Sequence, residues 1–144
     1  MRNNVIVLAI LLSGCSILNM AKYNDTEHML VNKIRTTAEL ADCENEYNMI
    51  TTSYKLYEES VEFYNYNSVT PHNEETVNMS KSLLDISKGL KDRYQSGEKV
   101  NAEYCKIKLK TIHDSAKAIQ YSIVRKPKWA DNFYLNSQTL IVNM

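Results

Sequence analysis

From Asp25 to Tyr66 the chain contains neither glycine nor proline, and the whole sequence holds only 3 Gly and 2 Pro. A small barrel or sandwich turns often, and tight turns consume these two residues. The stretch instead carries a line of positions, Leu40, Cys43, Tyr47, Ile50, Tyr54, Tyr57, Val61 and Tyr64, separated by alternating steps of three and four. That spacing predicts a helix packed along its length on another helix. Leu30, Ile34, Thr37 and Ala41 continue an apolar face in a shifted register, which predicts a bend or stutter near residue 40.

Asn24 or Asp25 can cap this first helix, and Asp25 and Glu27 suit the positive end of its dipole. The pattern breaks from Asn65 to Asn73. Thr70-Pro71 then predicts a second helix over 72–96, with Pro in its first position, Val77, Leu83, Leu84, Ile86, Leu90 and Tyr94 apolar, and Gly97 ending it. A third helix over 98–126 carries the seam Cys105, Leu109, Ile112, Ala116, Ile119 and Ile123, and Pro127 stops it. The expected fold is all-α: an up-down-up three-helix bundle over 25–128 with one long N-terminal helix. Residues 129–144, with Trp129, Phe133, Tyr134 and Leu140-Ile141-Val142, form an irregular C-terminal tail expected to pack back on the bundle.

The N-terminus is of a different kind. Arg2 precedes an uninterrupted apolar run from Val5 to Leu12. Eight residues cannot span a bilayer as a helix, which needs about 20, but they suit the apolar core of a secretory signal. The run ends in Leu12-Ser13-Gly14-Cys15. This resembles the lipobox of bacterial lipoprotein precursors, in which small residues admit a peptidase and the cysteine thiol carries a diacylglycerol. The bland alternative is a buried strand or helix that happens to end in Gly-Cys. The resemblance implies a signal peptide over 1–14, a lipidated tether over 15–24, and stable membrane attachment through two or three acyl chains. Ser16 rather than Asp after the lipidated cysteine favours the outer membrane in enterobacterial lipoproteins, with the inner membrane open, and the chain facing the periplasm.

With Cys15 lipidated, Cys43 and Cys105 remain as an even pair in a chain bound for an oxidising compartment, which predicts a disulfide enclosing 61 residues. Both lie near the start of their seams, so helices one and three running parallel bring them to the same level. The alternative is two buried thiols. Neither cysteine has a second Cys or His at ligand spacing, so no metal is expected.

The chain has 17 basic and 17 acidic side chains, which argues against general nucleic-acid binding. The charge is divided along its length: residues 25–75 hold 11 acidic and 3 basic side chains, and residues 76–128 hold 12 basic and 5 acidic. This division suits attraction between an acidic and a basic helix, or a bipolar surface that steers a charged partner. Lys99, Lys106, Lys110 and Lys117 make one stripe on helix three, read either as a solvated face or as a partner-binding surface. The seam tyrosines read as core residues whose hydroxyls reach the rim, or as an exposed docking groove.

Enzyme signatures are absent: there is no G-x-S-x-G elbow, no H-E-x-x-H pair and no glycine-rich phosphate loop. His28, His72 and His113 are isolated in sequence. A helix points the adjacent His113 and Asp114 about 100° apart, so they are not expected to form an orienting pair. Glu58, Glu59 and Glu62 read as a solvated face, without the burial that would raise a pKa. No enzyme activity, cofactor or small-molecule substrate is expected.

What remains is a membrane-anchored, non-enzymatic protein-binding module whose partner is an envelope protein or an incoming one. In size, lipobox and lack of catalytic motifs the chain looks like the small entry-exclusion and immunity lipoproteins of mobile elements. The 15 Asn and scarce Gly also suggest an AT-rich gene, as mobile elements often have. That resemblance implies a blocking role. The alternative is an assembly accessory of a secretion or pilus system, similar to pilotins. A free apolar groove beside the seam would favour assembly; a fully buried seam under a charged outer face would favour exclusion or immunity.

Overall fold

The computed structural model describes residues 21–127. Among them four helices are present: α1 (Asp25–Glu39), α2 (Glu46–Ser68), α3 (Glu74–Gln95) and α4 (Ala102–Val124). They make up a unit spanning Asn24–Arg125; the flanking residues 21–23 and 126–127 belong to a separate unit, in which the Tyr23 N–H donates to the Pro127 carbonyl at 3.3 Å. The signal peptide, Cys15 and the tail over 129–144 lie outside the described residues.

The bundle is therefore all-α but has four helices, not three. The expected long helix ends at Glu39 and restarts at Glu46, at the place where the shifted register predicted a stutter. The break uses no glycine or proline. The Asp42 carboxylate accepts the Glu44 N–H at 3.0 Å, and the Asn45 side chain accepts the Asn48 N–H at 3.1 Å. These side chains offer the backbone a turn and a helix cap in place of a continued helix.

Asn24 caps α1, accepting the Thr26 N–H at 2.8 Å. The start of α3 differs from expectation: Pro71 lies in the preceding turn, His72 takes a left-handed backbone (φ 58°), and Asn73 is the residue before the first turn. Gly97 follows the C-cap Ser96 at φ 74°, the left-handed conformation that glycine supplies without steric penalty.

Each helix packs on its sequence neighbours, and α1 closes the ring against α4. The topology is up-down-up-down. The α1–α2 and α3–α4 turns share one end, here called distal. The start of α1, the α2–α3 turn and the end of α4 share the other, basal end. Cys43, just before α2, and Cys105, in the first turn of α4, meet at the distal end in a disulfide with a Cα–Cα distance of 5.8 Å.

The α4 seam is buried as expected: Cys105, Leu109, Ile112, Ala116, Ile119 and Ile123 all face the core. The α2 seam is not the expected one. Leu40 is 78% exposed and Tyr47 79% exposed. The buried line of α2 is Met49, Ser53, Leu56, Ser60, Phe63 and Asn67, and α3 buries Thr76, Ser80, Leu83, Ser87, Leu90 and Tyr94. Both lines keep three-four spacing, but half their members are small or polar. Serine lets α2 and α3 approach closely, and the hydroxyls of Ser60 and Ser87 hydrogen-bond across the interface at 2.9 Å. The hydroxyls of Ser53, Ser60 and Ser80 also bond carbonyls one turn back on their own helices, which offsets their burial.

Candidate partner-binding surface

The tyrosine line expected in the core forms part of the surface of α2. Tyr47 is fully exposed; Ile50 and Tyr54 are 40% and 38% exposed, while Tyr57, Val61 and Tyr64 are half-buried. This stripe borders α3. The Lys91 ammonium lies 4.3 Å from the centre of the Tyr57 ring and 5.9 Å from that of Tyr54. Asp92 accepts an ion pair from Lys88 at 2.7 Å and another from Lys91 at 3.2 Å. Hydrogen bonds from these two ammoniums hold the Asp92 carboxyl below its usual pKa, and its proximity raises that of Lys88. The outcome is an aromatic and aliphatic strip whose α3 edge carries Lys88 and Lys91 beside the carboxylates of Asp85 and Asp92.

The expected lysine stripe is on the surface, but it is partly engaged. Lys106 pairs with Glu44 at 2.6 Å, tying the start of α4 to the α1–α2 turn. Lys110 pairs with Asp114. Lys99 helps line an open depression of about 480 Å³ beside Cys43, with Glu44, Glu46 and Val100. Lys106, Lys110 and Lys117 are exposed on α4, interspersed with exposed Ile107 and Tyr121.

Two expectations about titrating groups change. His113 Nδ1 does reach Asp114 Oδ1, at 3.0 Å. Exposed side chains can swing toward one another even when their Cα–Cβ bonds diverge. Asp114 is shared with Lys110 and solvated, and both partners hold its carboxyl below the usual range. The second change is Glu59. Its neighbours Glu58 and Glu62 are exposed, but Glu59 is only 3% exposed, wedged between α1 and α2. Its Oε1 accepts from the Thr37 hydroxyl at 3.2 Å, Lys55 is 3.9 Å away, and Oε2 has no partner. Burial pushes its carboxyl above the ordinary value, against the hydrogen bond from Thr37 and the charges of Lys55 and Lys33. Beside it lies an open groove of about 390 Å³ between α1 and α2, lined by Lys33, Thr37, Leu40, Thr52 and Lys55 among others.

A second polar cluster closes the basal end. The Asn73 amide donates to Glu27 Oε1 at 3.0 Å and to Asn67 Oδ1 at 2.6 Å, all three residues being buried. Asn24 donates to the Tyr66 hydroxyl at 2.5 Å. On the α1–α4 side, Arg35 donates to the Gln120 carbonyl oxygen at 2.6 Å, which turns the Gln120 amide nitrogen toward Asn32 and His28. These bonds fix helix register; none sets a nucleophile beside a base. Among the described residues, no three His, Cys, Asp or Glu side chains gather to hold a metal, and no helix is long and apolar enough to cross a membrane. Comparison with family models, with characterised proteins and with solved structures finds no match to this chain.

Proposed function

We propose that this chain is a membrane-anchored, periplasm-facing lipoprotein that works by binding another protein and carries out no catalysis. The observation that carries this reading is the exposed Tyr47, Ile50 and Tyr54 strip on α2. Tyrosine offers a large contact area at small entropic cost and is enriched at interface hot spots. The strip lies on the distal half of α2, whereas the chain enters the bundle at the basal end. Fourteen residues separate Tyr54 from Ser68, about 20 Å of helix.

Between the two roles, a free strip beside the buried seam favours an assembly accessory that holds a segment of its partner. Exclusion or immunity is the second reading, and the charged, exposed outer face of α4 favours it. Affinity capture from envelope membranes with the full chain, compared with the Tyr47→Asp/Ile50→Asp variant, tests the shared core of both. A partner retained by the wild type and lost by the variant is expected. Identical capture by both would remove the strip from the binding surface.

A further inference from the structure

We infer that Cys43 is the site at which small thiols and disulfides exchange with this chain, and that Cys105 serves only as its buried resolving thiol. In such exchange a thiolate attacks one sulfur of a disulfide while the other leaves, and access decides which sulfur is attacked. The two halves of the Cys43–Cys105 bond differ in access. Cys105 is 0% exposed and belongs to the line of α4 that faces the core. Cys43 is half-buried in the turn between α1 and α2. It lines the open depression of about 480 Å³ at the distal end, together with Lys99, Val100 and Asn101 of the other distal turn. Displacement at sulfur is in line, so the nucleophile arrives opposite the leaving sulfur. With Cys105 on the core side, Cys43 is approached from the depression, whereas Cys105 would have to be approached through packed side chains.

In reduction, an external thiolate bonds to Cys43 Sγ, the electron pair of the broken bond passes to Cys105 Sγ, and that sulfur takes up a proton. A second external thiolate attacks the external sulfur of the mixed disulfide and frees Cys43. Two external thiols thus become one disulfide, and the chain gains two thiols. Oxidation runs in reverse: the Cys43 thiolate attacks a small disulfide and releases one thiolate, and Cys105 then displaces the other from Cys43. The fold suits this division. The Cys105 N–H donates to the Asn101 carbonyl at 3.0 Å within regular helix, so its sulfur keeps its place when the bond opens. Cys43 lies in a connecting turn, and connections move more readily than the helices they join.

The test uses the full chain in detergent and mercaptoethanol, an uncharged thiol indifferent to the charges of Glu44, Glu46 and Lys99 around the depression. Acid stops the exchange by removing the attacking thiolate, and a maleimide then blocks free thiols in acidic urea. Peptide mass spectrometry assigns every adduct, any on Cys15 included. In folded wild type, mercaptoethanol on Cys43 with maleimide on Cys105 should exceed the reverse pattern by about tenfold or more. Val100→Trp, which fills the depression, should slow the exchange about tenfold while the urea midpoint stays in place. With hydroxyethyl disulfide as the oxidant, Cys105→Ala should be thiolated at Cys43 about tenfold faster than Cys43→Ala is at Cys105. Circular dichroism checks the fold of each variant, and the wild-type adduct pattern decides alone where a variant fails to fold. Equal adducts, an excess on Cys105, no adduct in the folded chain, an exchange rate that follows unfolding in urea, or a folded Val100→Trp that reacts as fast as wild type would overturn the inference.

Discussion

Replacing Phe63 by alanine should cost far more stability than replacing Tyr47, although only Tyr47 belongs to the regular aromatic line of α2. Phe63 is fully buried and lies on the line that faces the core, whereas Tyr47 is 79% exposed. Truncating a buried Phe to Ala removes its transfer free energy and leaves a cavity, together about 3–5 kcal/mol. Tyr47 lies in the first turn of α2 but neither its side chain nor its N–H makes the capping bond, and an exposed side chain outside caps and buried networks changes stability by about 0.5 kcal/mol or less. Domains of this size are stable by about 5–15 kcal/mol, so Phe63→Ala should remove a large share of the total. The assay is urea unfolding followed by circular dichroism at 222 nm, with the disulfide oxidised in every sample. With a slope of about 1–3 kcal/mol per molar urea, the Phe63→Ala midpoint should fall by more than 1 M while that of Tyr47→Ala barely moves. If Tyr47→Ala is as damaging as Phe63→Ala, the aromatic line is the true seam and the docking strip does not exist.

Three further outcomes follow from named groups. Replacing both Cys43 and Cys105 by alanine should destabilise the bundle by about 4 kcal/mol on the chain-entropy view, because the bond joins residues 62 apart in sequence; alkylation of the two thiols in folded, unreduced protein would count against the pairing. Glu59 has its carboxyl raised by burial from the ordinary 4.5, so its stabilising contribution is complete below that value and is lost as pH rises through the raised one. Glu59→Gln, which keeps an acceptor for Thr37, should melt above the wild type at neutral pH, and the gap should close as the solution is acidified through the carboxylate range. Labelled palmitate should enter the chain through Cys15, and labelling that survives Cys15→Ala would refute the lipobox reading.

The parts of the fold that were legible are those where one chemistry acted alone. Every position on the buried line of α4 is apolar or cysteine, so spacing and hydrophobicity identified the same face. The Asn24 cap and the glycine after α3 were legible because each answers a local backbone need. The turn between α1 and α2 was not, since it lacks both usual breakers and depends on Asp42 and Asn45, which are equally ordinary on a helix surface. The burial of Glu59 is not legible in the sequence for a related reason: one turn of helix places it near Glu58 and Glu62, but only the position of α1 decides which of the three is covered.

The burial pattern of α2 explains where the candidate surface comes from. Three-four spacing identifies a face of a helix, not whether that face is buried. Two such lines run along α2: one bulky, through Tyr47, Ile50 and Tyr54, and one mixed, through Met49, Ser53, Leu56, Ser60 and Phe63. By transfer free energy alone the bulky line should be buried. Geometry favours the other, because α3 offers its own serines at matching intervals, and small residues on both sides let the helices close to the distance at which Ser60 meets Ser87. Tyrosines at the same contact would hold the helices apart and strand their hydroxyls. The disulfide is compatible with either seam because the turn at residue 40 reverses α1 alone: α2 and α4 run in the same direction from the distal end, so Cys43 and Cys105 are level. Among the described residues, the same turn leaves Tyr47, Ile50 and Tyr54 exposed over the distal half of α2, which is the apolar surface that the proposed partner would bury.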